Sequence, residues 1–302
     1  MRLRVRDSSP IRPAFKMGAE HTLTGNIQQH AQFESRSLHN RRDVLVYLPP
    51  GYSRALRRRY PVLYLQDGQN MFDAATAFGG VEWGADETAQ RSIQRKWIEP
   101  LIIVAVANTG NNRIHEYAPT RGVIETTATR TRRSRGGLRR YGRFLIEELK
   151  PFIDRTYRTR PDGESTGLGG SSLGGLATLA LGLWYPQVFS RLAVLSPSIW
   201  WDECVICRMV DELPEKLPLK IWLDTGTEEP GWERARDLRD RLVERGWRLD
   251  DDLQFTEVTG AGHSEGAWAA RFESVLRYLY PPTPPGSKVP LPRPRVLQTT
   301  IR

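Results

Sequence analysis

The 302-residue sequence is poor in the residues that build metal and redox sites, with two cysteines, five histidines and four methionines. Cys204 and Cys207 have C-x-x-C spacing, but no second pair exists and no histidine lies nearby to complete a four-ligand zinc site. The reading from spacing is two packed thiols sharing one buried face of a short helix. No apolar run reaches the ~18 residues of a membrane span. The opening residues MRLRVRDSSPIRPAFK carry no apolar h-region, so no secretory signal is read there and a cytoplasmic address is expected. Internal repeats are missing too, which excludes solenoids and propellers.

Positive charge is plentiful, at a formal +9, but it is badly distributed for a nucleic-acid groove. Arg2, Arg4, Arg6, Arg12 and Lys16 against Asp7 give one end a net +4. Lys288, Arg293, Arg295 and Arg302 give the other end another +4, which leaves residues 17–280 nearly neutral. An excess confined to the ends argues against a basic surface built into the fold, so neither nucleic acid nor membrane is expected as a partner. Residues 1–20 read as a flexible basic arm and 281–302 as a proline-rich disordered tail. Residues 21–280 are left as one large α/β domain.

Within that domain strands and helices alternate from Pro61 onward. Short apolar runs at Pro61–Gln66 and Leu101–Ala107 suit strands buried on both faces. Asp43–Leu48 reads as a strand, and a weaker one is read at Gln28–Leu38. Helices are expected at Ala85–Lys96, Leu138–Tyr157, Asp202–Leu213, Trp232–Arg245 and Gly266–Tyr280. Further strands are expected at Phe189–Leu195, Leu219–Leu223 and Leu253–Val258. The alternation predicts a mostly parallel sheet with helices on both faces and reactive groups at the carboxyl ends of strands. Asn108–Gly137, with Arg130, Arg132, Arg133 and Arg135, reads as a long irregular loop on the rim of the site.

The chemistry centres on Gly170-Ser171-Ser172-Leu173-Gly174, which fits the G-x-S-x-G pattern of a nucleophile elbow. A serine needs a base to take its proton, and the base needs a carboxylate to orient it. His263, between glycines after the last strand, is the expected base, with His115 the competitor. The carboxylate is sought between Ser172 and His263. Asp224, Glu228 and Glu229 compete there, and Glu229 best suits a fixed loop acid. The oxyanion donors are expected at the Leu173 N–H and the Gln69 N–H, beside Gly68. This chemistry calls for no metal and no cofactor.

Several stretches together resemble the putative-esterase family of α/β-hydrolases. They are Val46-Tyr47-Leu48-Pro49-Pro50-Gly51-Tyr52, Tyr64 through Asp73, Phe144 through Asp154, Gly170 through Gly175, Ser196-Pro197-Ser198-Ile199-Trp200-Trp201, and Gly262-His263. That family includes esterase D, enterobactin-type siderophore esterases, feruloyl and acetylxylan esterases, and the antigen 85 mycolyltransferases. The resemblance runs from about Asp43 to Tyr280. It implies an α/β-hydrolase fold and a serine carboxylic-ester hydrolase with Ser172, Glu229 and His263 in the catalytic places. It also implies substrate contacts at Trp200, Trp201 and Asn70. Two departures stand out: Asp67-Gly68 where many relatives have His-Gly, and Glu229 where many have Asp. The expected substrate is a small-molecule ester of carbohydrate, phenolic or siderophore type. An acyltransferase on the same residues, and a binding protein on an inactive scaffold, are the alternatives. No oligomeric state is read from the sequence.

Overall fold

The computed structural model describes residues 21–127 and 130–282. The basic arm expected at 1–20, and the expected tail beyond Pro282, lie outside the described residues. The chain opens with an antiparallel hairpin of β1 (Asn26–Ser35) and β2 (Asn40–Leu48), whose register slips between His30 and Phe33. β3 (Val62–Gln66), a 3-10 turn at Gly68–Asn70, α1 (Ala85–Gln94) and β4 (Ile102–Val106) follow. Then come α2 (Arg113–Tyr117), β5 (Arg121–Thr127), β6 (Arg130–Arg135) and α3 (Leu138–Arg143), which runs through a π turn at Phe144–Leu149 into α4 (Lys150–Thr156). The second half alternates: β7 (Thr166–Ser171), α5 (Leu173–Trp184), β8 (Arg191–Leu195), α6 (Val205–Asp211), β9 (Lys220–Gly226), α7 (Arg234–Glu244), β10 (Leu253–Val258) and α8 (Glu265–Leu279).

Eight strands form one sheet in the order β1-β2-β4-β3-β7-β8-β9-β10. β1 with β2 and β2 with β4 are antiparallel, and every pairing from β4 to β10 is parallel. Parallel neighbours need crossovers, and the crossing helices cover both faces. The central strands show why. Val62 and Tyr64 of β3 enter one core with Phe144, Leu149 and Leu176, whereas Leu63 and Leu65 enter the opposite core with Ala89, Phe272 and Leu276. A period of two thus feeds two apolar layers from one five-residue strand.

Two expectations are corrected here. Asn108–Gly137 is not irregular: it holds α2 and the antiparallel β5–β6 hairpin, a separate two-stranded sheet. The β-branched residues Val123, Ile124, Thr126, Thr127 and Thr131 carry the strand preference, which the dense arginines obscure. The hairpin's root is fixed by the Trp201 indole, which donates to Thr120 Oγ1 at 3.2 Å and leaves room only for glycine at 122. Cys204 and Cys207 are not packed thiols but a disulfide. Cys204 sits one residue ahead of α6 in a left-handed conformation, and its Cα is 5.4 Å from that of Cys207, inside bridging range. Among the described residues no helix is long and apolar enough to cross a membrane.

Candidate active site

Ser172 is the single residue between β7 and α5, held at φ 56°, ψ −123°. A non-glycine residue at positive φ is strained and persists only when its surroundings over-determine it. They do so here. The Ser172 N–H donates to Leu195 O at 3.1 Å, and the Ser198 N–H donates to Ser172 O at 3.0 Å. The flanking glycines pack on each other, and a Cβ on Gly170 would meet the Gly174 carbonyl carbon at 3.0 Å. The Ser172 hydroxyl lies 3.4 Å from the Ser198 hydroxyl. Leu173 opens α5, so its N–H has no carbonyl four residues back to bond, and the helix dipole favours negative charge at this spot.

His263 lies between β10 and α8, and its Nδ1 is 2.8 Å from Glu229 Oε2. A carboxylate can only accept, so Nδ1 carries the proton and Nε2 of the neutral ring is left as an acceptor. Trp268 holds the imidazole edge-on, with ring centroids 4.9 Å apart and planes at 87°. The other Glu229 oxygen, Oε1, accepts from the Gly226 N–H at 2.8 Å and the Ser196 hydroxyl at 2.6 Å. Burial would raise the pKa of Glu229, but the bonds from His263, Ser196 and Gly226 outweigh it and hold the group below its ordinary value.

Asp224, the alternative acid, is fully buried and turned elsewhere. It accepts from the Trp222 indole at 2.7 Å and the Ser196 N–H at 3.2 Å, and it pairs with Arg271 at 3.1 Å. Burial dominates there and pushes its pKa up to about 6 despite Arg271. The loops after β9 and β10 are bonded backbone to backbone. The Thr227 N–H donates to Val258 O at 3.1 Å and the Glu228 N–H to Ala261 O at 3.0 Å. His115, the competing base, instead accepts the Arg135 N–H on Nδ1 at 3.2 Å and ties α2 to the hairpin.

The loop after β3 is the third wall. Asp67 is buried at φ 56° and gripped by both ends of the Arg113 guanidinium at 2.7 Å each, with the Asn108 amide donating at 2.7 Å. Gly68 is pressed on β4, where a Cβ would come within 2.5 Å of the Ala105 and Val106 backbone. The Gln69 side chain turns back to accept the Asn108 N–H at 3.1 Å. Gln69, Asn108, Arg113, Ser172 and His263 line one cavity of about 830 Å³, rimmed by Phe78 and Val81. Asn70 also borders it, but its polar atoms are used internally: its amide donates to Glu265 at 2.9 Å and its oxygen accepts the Phe78 N–H at 3.0 Å. A smaller cavity of about 240 Å³ lies on the other side of His263, lined by Ile199, Trp200, Glu229 and Trp232.

Of the two adjacent tryptophans, Trp200 is 44% exposed on that smaller cavity, whereas Trp201 is 1% exposed in the core. Trp201, expected as a substrate contact, lies in the core and lines neither cavity. Sequence reasoning missed Ser196, Trp268 and Arg271. The one available signal was an arginine on the apolar face of α8, three residues after a tryptophan.

A mostly parallel, helix-covered sheet, with a strained serine on a strand–helix turn and an imidazole–carboxylate pair on the last loops, defines an α/β-hydrolase. The chain belongs to the Putative esterase family, which it matches over residues 35–279, and it is accordingly a hydrolase. It is 28% identical over 228 residues to the ferri-bacillibactin esterase BesA of Bacillus subtilis, covering 68% of this chain and 73% of BesA. An IroE-like serine hydrolase from Shewanella oneidensis is similar in structure at 25% identity and a TM-score of 0.67, covering 84% of this chain and 80% of that one. The enterobactin esterase FES from Shigella flexneri superposes with a TM-score of 0.66 at 20% identity. There the match takes in 85% of this chain and only 61% of the longer FES chain.

Proposed function

We propose that the protein is a serine carboxylic-ester hydrolase that works through an acyl-enzyme on esters carrying an aromatic ring, of phenolic or siderophore type. One observation carries this reading: an imidazole already oriented by a buried carboxylate shares a cavity with a serine hydroxyl held at a helix N-terminus. Ser172 Oγ attacks the ester carbonyl carbon as its proton passes to His263 Nε2, and Glu229 stabilises the imidazolium. The Leu173 and Gln69 amides hold the oxyanion, each worth on the order of 3 kcal/mol in the transition state. The alcohol leaves with the proton from His263. Water then adds to the acyl carbon, its proton going to His263, and the acid departs as the Ser172 hydroxyl is restored.

The substrate class rests on the space and its walls. The larger cavity admits a sizeable ester, and the exposed Trp200 face beside Trp232 offers a surface for a planar ring. The names of BesA and FES, both siderophore esterases, point the same way. Ser172→Ala should abolish turnover of p-nitrophenyl, feruloyl and catechol-siderophore esters while the circular dichroism spectrum is unchanged. Full residual activity would overturn the mechanism. Preferential turnover of acetyl over aromatic acyl esters would overturn the substrate class, and faster formation of a new ester than of free acid would make the enzyme a transferase.

A further inference from the structure

Away from the candidate active site, Glu82, Asp86 and Glu87 bring three carboxylates together at the start of α1, with one oxygen from each lying within 4.8 Å of the others. Acidic clusters on a surface are common and are usually solvated. This one is not. Asp86 is 0% exposed, and Asp86 Oδ1, Glu82 Oε2 and Glu87 Oε2 are each shielded from solvent with no hydrogen-bond partner. Two further oxygens are already used: Asp86 Oδ2 accepts the Thr24 N–H at 2.6 Å, and Glu82 Oε1 accepts the Thr22 hydroxyl. A buried acceptor left unmade is costly, and three converging on one point compound the cost. The dipole at the α1 N-terminus relieves some of the charge but supplies no donor to these three atoms.

We infer that Glu82, Asp86 and Glu87 form a binding site for a hard divalent cation of the calcium class. Such an ion takes carboxylate oxygens at about 2.3–2.6 Å, so ligands on opposite sides of it stand roughly 5 Å apart, which matches the spread of this cluster. The three carboxylates supply the charge, and the ion completes its shell with water and neighbouring oxygens. The site joins the segment around Thr22 and Thr24 to the start of α1. In the chain it follows Phe78 and Val81, which rim the larger cavity. Trp83, between the ligands, donates from its indole to Glu265 at 2.5 Å on the same wall. An ion here clamps that rim without touching the reacting atoms.

The test uses the full chain stripped with a chelator and titrated calorimetrically with calcium chloride and, separately, magnesium chloride. The expected result is one calcium per chain with a dissociation constant below the millimolar range, weaker magnesium binding, and a raised melting temperature. Glu87→Gln and Asp86→Asn should each weaken calcium at least tenfold, and Glu244→Gln on α7 should not change it. Terbium luminescence excited through tryptophan gives a second readout on the unmutated chain, with calcium displacing the signal. Absence of binding at several millimolar calcium would overturn the proposal and leave the carboxyls sharing protons. Binding that is unchanged in Glu87→Gln would overturn it by placing the ion elsewhere.

Discussion

The Ser196 hydroxyl donates to Glu229 Oε1 at 2.6 Å, and the direction of that bond is forced. Ser196 Oγ itself accepts from the Trp268 indole at 3.0 Å and from Arg271 at 2.8 Å, both of which can only donate. The Ser196 proton therefore has one destination. Glu229 receives three hydrogen bonds in all, and the carboxylate is held ionised and still beneath His263.

Ser196→Ala removes one of those bonds and strands two buried donors. The expected cost is about 1–3 kcal/mol of stability. The sign with pH follows from the depressed pKa of Glu229. Its stabilisation is present above the unfolded value of 4.5 and is lost as pH falls through the folded value. The deficit of Ser196→Ala should therefore be largest near neutral pH and shrink in acid, and the acid limb of kcat/KM should shift. Melting curves and a pH–rate profile check this, and a deficit that grows in acid would contradict it.

Glu229 and Asp224 should separate cleanly under substitution. Glu229→Gln should lower kcat by roughly 10⁴-fold, as when a triad acid loses its charge, with little change in fold. Asp224→Asn unpairs the buried Arg271 and should cost about 3–5 kcal/mol of stability, while the folded fraction keeps most of its activity. With its pKa raised from 3.8 to about 6, Asp224 lends the fold stability that is complete below about 3.8 and lost as pH rises through about 6. The Asn variant should flatten the stability curve across that window. Activity surviving in Glu229→Gln but not in Asp224→Asn would assign the acid role to Asp224.

Arg113→Ala frees the Asp67 carboxylate at the head of the turn that carries Gln69. In the proposed reaction this displaces an oxyanion donor, so kcat should fall on the order of 10²-fold, with KM nearly unchanged. Steady-state kinetics would show it. A rise in KM at constant kcat would instead make Arg113 a substrate contact.

Much of this was legible from residue order alone. β3 and β4 announce themselves as short apolar runs between turn residues, and the alternation after them dictates a parallel sheet. Ser172 was visible because its flanking glycines have no other economical use, and His263 because a polar residue stands between glycines at a strand's end. Other features depend on contacts that spacing does not encode. The Ser196–Arg271 bond spans 75 residues, and nothing local reveals it. Trp200 and Trp201 are chain neighbours that turn opposite ways, one to the cavity and one into the core. The β5–β6 hairpin was hidden because its dense arginines read as a solvated loop.

The backbone stitching between the loops after β9 and β10 has a mechanical result. Glu229 and His263 ride on one bonded pair of loops, while Ser172 stands after β7 and is tied to the end of β8 through Leu195 and Ser198. In the proposed reaction, movement at the end of β8 would change the distance between Ser172 and His263 while the Glu229–His263 bond stays made. Turnover in this enzyme would thus be tuned through β8, the strand that bears no reacting atom and spaces the two halves.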